Sequence, residues 1–207
     1  LISGINGHIQ GRIGTVIGSS WKGKPYVKGP YKKRTGKAGL GEAGNRNKFA
    51  DAQFWLKPLL KFVRVGFNGY AERVEGFCAA KSLLLRNAFE GVQPDISINP
   101  SLVKVSFGEL PLSDSIAVSK TAPGQLAFTW NPAAVADGNA KDQVMMLAYD
   151  VEHAKAHFTT LGQFRKDGGD VLHTDPTPGK TWHIYCAFIA ADRSRQSEST
   201  YLGTITM

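Results

Sequence analysis

The side chains that could carry chemistry are few, and the most suggestive pair is two histidines four residues apart, His153 and His157. On a helix this spacing would place both imidazoles on one face, where they could bind zinc. Residues 150–155 read better as a turn between two strands, and only His173 and His183 could approach through the fold. We therefore favour a surface hairpin that carries two histidines, and we expect no metal and no cofactor.

Nucleophilic catalysis needs an activated serine or cysteine beside a base and an orienting group. Cys78 lies in an apolar helical context and Cys186 in a predicted central strand, so we expect both thiols to be buried and structural. The sequence contains no Gly-x-Ser-x-Gly elbow. Asp167, Asp170 and Asp175 flank a turn without the spacing of a calcium loop. The chain is therefore expected not to be an enzyme.

One segment combines basic and aromatic residues, among them Trp21 and Tyr26. Aromatic rings can stack on bases while cations neutralise phosphates, which makes this segment a candidate for contacts with nucleic acid or another anion. The cations that would make these contacts are Arg12, Lys22, Lys24, Lys28, Lys32, Lys33 and Arg34. The favoured interpretation is that Trp21 and Tyr26 face a core and only the lysines are exposed. No recognised nucleic-acid-binding module surrounds the segment.

The net charge of +8 is unevenly distributed along the 207 residues. Residues 1–110 carry a net charge of +10 and residues 111–207 a net charge of −2. The first 41 residues contain eight basic side chains and no acidic one. Such a segment would attract phosphates, anionic lipid or an acidic protein surface, although a solvated arm with no dedicated partner is equally compatible with it.

The elements of the first half are short strands and helices. Strands are predicted over residues 14–21 and 25–31, joined by a turn at Lys22 and Gly23. A first helix should begin near Arg46 with Asn45 as its cap, because the asparagine side chain can accept a backbone N–H. Pro58 should kink or restart that helix, since proline lacks an N–H and clashes with the preceding turn.

The second helix is predicted over residues 76–89, with Gly91 supplying the left-handed position that ends it. From residue 95 the apolar residues alternate, first at Ile96 and Ile98 and then at Val103, Val105 and Phe107. Further strands are expected near residues 116–119, 125–130, 143–149, 156–160, 171–174, 181–191 and 199–206. Short strands at such intervals are typical of a sandwich or small barrel.

The order of several motifs resembles a bacterial family of uncharacterised proteins, one of the domains of unknown function. The matching residues are Gly11-Arg12-Ile13-Gly14, Trp21-Lys22-Gly23-Lys24, Arg46-x-x-Phe49, Gly66-Phe67-x-Gly69-Tyr70, Asn87-Ala88-x-Glu90-Gly91 and Tyr201-Leu202-Gly203-Thr204-Ile205. The resemblance implies a helical N-terminal part and a C-terminal sandwich similar to fibronectin type III. It implies no activity and no functional residues. Residues 24–54 also resemble the N-terminal region of some phage and prophage structural proteins.

These observations predict an α+β protein that is mainly β. Residues 1–110 would form a basic region of Gly-rich strands with two or three helices, and residues 111–207 an antiparallel β-sandwich of fibronectin type III or immunoglobulin type. In that sandwich Trp130 and Tyr185, one from each sheet, are expected to meet in the core.

A non-catalytic structural or protein-interaction role is the leading hypothesis, in a phage-like or cell-envelope setting, with an unidentified protein as partner. Nucleic-acid binding through the basic segment is the alternative. A third possibility is an enzyme or sugar-binding site lined by Trp55, Trp130 and Trp182, although such residues more often pack in cores. No membrane-spanning segment and no obvious signal peptide are visible, and the sequence leaves location and oligomeric state open.

Overall fold

The computed structural model describes residues 9–33, 35–37, 39–92, 95–133 and 135–207. The chain divides into two compact units, Leu1–Leu40 and Gly41–Met207. All 17 acidic residues and 17 of the 25 Lys and Arg follow residue 41. The whole net charge of +8 therefore belongs to the first unit, while the second is neutral.

The first unit contains an antiparallel sheet of three strands in the order β1-β2-β3, here called the N-terminal sheet. Its strands are β1 (Gly11–Ile13), β2 (Val16–Trp21) and β3 (Lys24–Lys28). Lys22 and Gly23 both have positive φ, 46° and 80°, as the two-residue hairpin turns that match the strand twist require. The predicted strands and their turn are confirmed, whereas β1 is an addition that the sequence did not indicate.

Three helices come next along the chain: α1 (Leu40–Leu56), α2 (Leu60–Gly66) and α3 (Gly76–Asn87). The predicted break at Pro58 is confirmed, because a single 3-10 turn, Lys57–Leu59, separates α1 from α2. The predicted start near Arg46 is wrong, since Asn45 lies inside α1. Glu42, in the first turn, pairs with Arg46 one turn later at 2.7 Å, which supports helix in a segment that its glycines weaken.

The connection from the helices to the sandwich differs from the prediction in two places. Helix α3 ends at Asn87, and Gly91 follows a short strand, β4 (Phe89–Glu90), that pairs with β5 (Ser97–Ile98). Val103 and Val105 are buried as their alternation indicates, but their segment forms no strand. Separate hydrogen bonds hold it instead of a strand ladder: the Ser199 hydroxyl accepts the N–H of Val105 at 3.0 Å, and the Ser106 carbonyl accepts the N–H of Ser199 at 2.9 Å.

Seven strands follow and form two antiparallel sheets, which confirms the predicted sandwich. The strands are β6 (Ala117–Ala122), β7 (Gln125–Thr129), β8 (Gln143–Asp150), β9 (Lys155–Thr159), β10 (Gly169–His173), β11 (Thr181–Ile189) and β12 (Thr200–Thr206). One sheet has the order β10-β7-β6 and the other β12-β11-β8-β9. The fold is mainly β with a helical part, as predicted.

The four-stranded sheet is covered on both faces, so the second unit has two hydrophobic cores. Between the sheets, Val144, Met146, Ile184 and Phe188 pack against β7 and β10. On the other face, the intervening residues pack against the helices. They are Met145, Leu147, Tyr149, Tyr185, Ala187 and Ile189. The expected boundary at residues 110/111 stays a prediction, while both helices and sandwich lie in the unit Gly41–Met207.

The alternation along β11 corrects the expected pairing of Trp130 with Tyr185. Trp130 packs edge-on against Phe188, with ring centroids 5.5 Å apart. Tyr185 points to the helical side, where its hydroxyl donates to the Pro100 carbonyl at 2.7 Å. Odd-numbered residues of β11 face the helices and even-numbered ones face the second sheet, so only an even-numbered residue could meet Trp130.

A buried arginine, Arg165, forms an ion pair inside the second unit. The Arg165 guanidinium lies 3.2 Å from the Asp142 carboxylate, and both side chains are almost completely buried. It also donates to the Ser113 hydroxyl at 2.9 Å and lies over the Phe188 ring at 4.3 Å. Burial lowers the pKa of Arg165 and the nearby Asp142 charge opposes that shift. Removing one partner would leave the other charge buried without compensation.

Replacing Arg165 by Met should therefore lower the free energy of unfolding by about 3 kcal/mol or more. Arg195→Met is the matched control, because Arg195 pairs with Asp137 at 2.7 Å on the surface, where solvent screens the pair, and its loss should cost far less stability. Urea-induced unfolding followed by circular dichroism measures both changes. Equal losses in the two variants would contradict a structural role for the buried pair.

Candidate functional site

The strand register of the N-terminal sheet sorts its side chains onto two different faces. Directly opposite residues of antiparallel strands share a face, and successive residues alternate between faces. The register pairs Arg12 with Ile17 and Ile17 with Lys28, and it pairs Trp21 with Lys24. One face, the basic-aromatic face, therefore carries Arg12, Ile17, Ser19, Trp21, Lys24, Tyr26 and Lys28.

The opposite face of this sheet carries no charge, and we call it the aliphatic face. The register opposes Ile13 to Val16, Gly18 to Val27 and Ser20 to Pro25. Val16 and Val27 are exposed, Val27 by 61% of its surface. Gly18 is the single buried residue among the described residues of the first unit, and a Cβ there would collide with the Ile9 carbonyl oxygen.

The structure brings three of the seven predicted anion contacts together on the basic-aromatic face, namely Arg12, Lys24 and Lys28. Lys22 lies in the β2–β3 turn, and Lys32 and Lys33 are exposed beyond β3. Arg34 lies outside the described residues. Within the ranges that the structure describes, none of the other six forms an ion pair, so their charges are available to a ligand. That these residues bind an anion stays a prediction.

The expectation that Trp21 and Tyr26 face a core is wrong. Trp21 is 61% exposed, Tyr26 is 43% exposed, and Tyr31 beyond the sheet is almost fully exposed. Alternation along a strand shows which side chains share a face, but it does not show whether anything covers that face. A cation lies near each ring: the Nζ of Lys22 lies 5.3 Å from the centroid of the Trp21 ring, and that of Lys28 lies 5.9 Å from the centroid of the Tyr26 ring.

Three histidines make side-chain contacts within the sandwich. His153 lies in the turn between β8 and β9, as predicted, and its Nδ1 lies 2.8 Å from an Asp150 carboxylate oxygen. His157 packs edge-on against Trp182 at 5.3 Å, and the Nδ1 of His183 lies 2.9 Å from the Tyr201 hydroxyl. Burial lowers the pKa of both His157 and His183. In the described ranges no three His, Cys, Asp or Glu side chains gather as metal ligands.

The two cysteines differ in their surroundings. Cys186 is buried between the sheets as predicted, and burial raises its pKa to about 12, which keeps the thiol protonated at neutral pH. Cys78 is exposed on α3, so the expectation of a buried thiol is wrong there. Its neighbours Ala79 and Ala80 face the core, and the helical period turns Cys78 to the opposite side.

The tryptophans that could have lined a cleft pack in the two cores. Trp55 contacts Tyr149 at 4.9 Å, and Trp130 and Trp182 lie between the sheets. All three are at least 96% buried. A surface depression of about 520 Å³ lies where β9 approaches β10 and includes Phe158, Leu161 and Asp170 in its wall. Asp170 already accepts the backbone N–H of Gln163 at 2.8 Å.

Fold and site together define a class of protein: a fibronectin type III-like sandwich of three and four strands, with a helical layer on the larger sheet and a separate basic N-terminal sheet. The chain belongs to the family of unknown function DUF6266, whose family model matches residues 8–203. The resemblance inferred from the sequence motifs is thereby confirmed.

The remaining comparisons add little to this assignment. No curated protein matches the sequence. A similar solved structure is the crystal structure of chicken CNTN1 FN1-FN3 domains, at 9% identity and a TM-score of 0.35, covering 48% of this chain and 32% of that one. This chain thus spans about a third of that protein's length. Among the described helices, none combines the length and the apolar character needed to cross a bilayer.

The lowered pKa values of His157 and His183 predict that the fold loses stability in acid. The unfolded chain binds protons near the ordinary histidine pKa of 6.5, whereas the folded chain binds them only at lower pH. Stability should be fully present above pH 6.5 and should fall as the pH decreases toward the folded pKa values. Urea unfolding at pH 7 and pH 5 measures this change.

A His157→Gln/His183→Gln variant should show a smaller loss of stability between these two pH values than the wild type. His173→Gln is the control, because His173 is exposed at the end of β10. An unchanged pH dependence in the double variant would contradict the assignment to these imidazoles.

Proposed function

We propose that this protein is a non-catalytic structural or protein-interaction protein, and that the aliphatic face of the N-terminal sheet is its protein-contact surface. The observation that carries the proposal is that apolar side chains on this face, Val16 and Val27, are exposed to solvent. Exposed apolar surface of this kind commonly marks a site of contact with another macromolecule. A small antiparallel sheet draws its stability from a hydrophobic face, and burying that face against another surface adds to it.

The composition of the first unit excludes the usual substitutes for a core. Units of about 40 residues or fewer generally need a disulfide, a metal or an oligomeric partner for stability. Residues 1–40 contain no cysteine, no acidic residue and a single histidine, His8. A disulfide is therefore excluded within the unit, and the ligands for a structural metal are lacking. Contact with a macromolecular surface would supply the missing stability.

The uncharged character of the aliphatic face favours a protein as the partner there. Covering Ile13, Val16 and Val27 would contribute at most about 1.5–3 kcal/mol for each side chain that becomes fully buried, and less where a side chain is already partly covered. None of the register partners on this face is charged, so the contact would require no desolvation of an ion. The second unit has no net charge, and its histidines His153, His157 and His183 already contact other side chains. Both observations support a role without catalysis. Such a role suits a phage-like assembly or a cell-envelope attachment.

Site-specific photo-crosslinking tests this contact in the cells that express the protein. A photoreactive phenylalanine analogue at Val27 should give a covalent adduct with a protein, either a second copy or another chain. Val92 is the control position, because it is 83% exposed and lies in the second unit. No adduct at Val27, or equal adducts at both positions, would contradict the proposed surface.

Nucleic-acid binding is the second candidate function, and a separate observation favours it. Arg12, Lys24 and Lys28 share one face with Trp21 and Tyr26, and the unit that holds them has eight cations and no acidic residue. Phosphate contacts of this kind release counterions, so the affinity depends steeply on salt. This contact would use the basic-aromatic face and leave the aliphatic face for a protein.

Replacing Lys22, Lys24, Lys28, Lys32, Lys33 and Arg34 with Ser should abolish binding to an oligonucleotide. The wild type should lose affinity on the order of a thousandfold between about 50 and 200 mM salt if six phosphates are contacted. Fluorescence anisotropy of a labelled oligonucleotide measures both effects.

The control for this variant makes the same change of charge in the second unit. Six exposed cations there would be replaced with Ser: Lys57, Lys61, Arg86, Lys120, Lys141 and Lys166. This variant should bind as the wild type does. Equal loss in the two variants would indicate a general effect of net charge and would remove the segment as a candidate.

A further inference from the structure

We propose that the basic-aromatic face binds single-stranded nucleic acid, with unpaired bases stacked on Trp21 and Tyr26 and the phosphates held by the cations beside them. The proposal rests on the second candidate function above and adds the form of the nucleic acid and the residues that select it. It depends on the positions of two rings that the sequence analysis had expected to find in a core.

The first step is the exposure of the rings. Trp21 and Tyr26 present 61% and 43% of their surface to solvent, whereas the other three tryptophans of the chain are at least 96% buried. No hydrogen bond of Trp21 or Tyr26 side chains occurs among the described residues, so neither polar tip explains the position of its ring. Large exposed aromatic rings are typical of surfaces that stack on ligands.

The second step is the arrangement of rings and cations. Trp21 lies opposite Lys24, and Tyr26 lies opposite Ser19, so the two rings occupy diagonal positions on adjacent strands. Diagonal neighbours on one face lie about 7–8 Å apart. Ser19, the residue opposite Tyr26, is small, and Tyr26 is 43% exposed. Two platforms at this spacing can receive successive bases of an extended strand.

The third step is that each ring has a cation within reach of its own face. Lys22 lies 5.3 Å from the Trp21 ring centroid, and Lys28 lies 5.9 Å from that of Tyr26. A base that stacks on either ring brings its phosphate close to one of these ammonium groups or to Lys24. The ring would stack on the base and the cation would bind the phosphate of the same nucleotide. This combination is found in single-strand sites that tolerate many sequences.

Stacking selects the single strand over the duplex. In a duplex the base faces are already stacked on their neighbours, and only phosphates and groove edges are open to a protein. Cations alone would bind both forms, since their attraction to phosphate ignores base pairing. An acidic protein would use the same cations but would gain little from the exposed faces of two rings. Stacking on the aromatic residues therefore distinguishes a single strand from a duplex and from an acidic protein.

The test uses the full chain, labelled oligothymidylate, a duplex of the same length and polyglutamate. Trp21→Leu and Tyr26→Leu keep the charge of the face, and each should weaken binding to oligothymidylate by about five- to a hundredfold while leaving duplex binding unchanged. Trp21→Phe and Tyr26→Phe should restore most of the affinity. Phe54→Leu is the control, since Phe54 is an exposed aromatic residue of α1 in the second unit.

Tryptophan fluorescence gives a second readout, because Trp21 is the single exposed tryptophan of the four. Oligothymidylate should quench it in the wild type, and the Trp21→Leu variant should show no such quenching.

Each other outcome overturns the proposal. Unchanged affinity in both Leu variants would show that the rings do not stack, while a salt-dependent loss in the Ser variant would leave the general nucleic-acid function standing. Polyglutamate binding as tight as oligothymidylate binding would assign the face to acidic proteins. No binding to any of the three ligands would remove both this proposal and the second candidate function.

Discussion

The four-stranded sheet must be apolar on both of its faces, and most of the second unit follows from this requirement. Its central strands β8 and β11 are buried over most of their length, because the three-stranded sheet covers one face and the helices cover the other. Sheets covered on both sides need strands with nearly continuous apolar sequence, which residues 144–149 provide. The helices are therefore a structural layer of the sandwich, and their apolar stripes exist to cover it.

The same requirement explains where polar groups are tolerated in this unit. A charge can lie inside only when a partner accompanies it, as with Arg165 and Asp142, which face each other at 3.2 Å. Most other ionisable side chains with assigned partners lie in turns or at strand ends, where they fix local geometry. Asp175 is an example: ion pairs with Lys155 and Lys180, both at 2.7 Å, hold its pKa below the usual range. At such positions the ion pairs fix the conformation of loops.

The sequence predicted the strands of the second unit well, because their apolar runs end at turn residues that only loops favour. It failed where a pattern has two physical explanations. Val103 and Val105 alternate as strand residues do, but serine side chains and a few isolated backbone hydrogen bonds stand where a partner strand would supply a ladder. Gly91 follows a helix at the distance of a cap, yet it serves a short strand pair. Periodicity reports which side chains share a face, and it cannot report what lies against that face.

That limit was most consequential for the candidate site. Alternation led to the expectation that Trp21 and Tyr26 face a core and only the lysines are exposed. The decision between core and surface needed a second layer, and the described part of the first unit has none. Charge is the signal that could have decided it. Lys24 and Lys28 share the face of the two rings at a two-residue period, and a face that alternates cations with aromatic rings cannot be buried in a protein core without partners for its charges. Because residues 1–40 contain no acidic side chain, those partners must come from water, from an anion or from outside the unit.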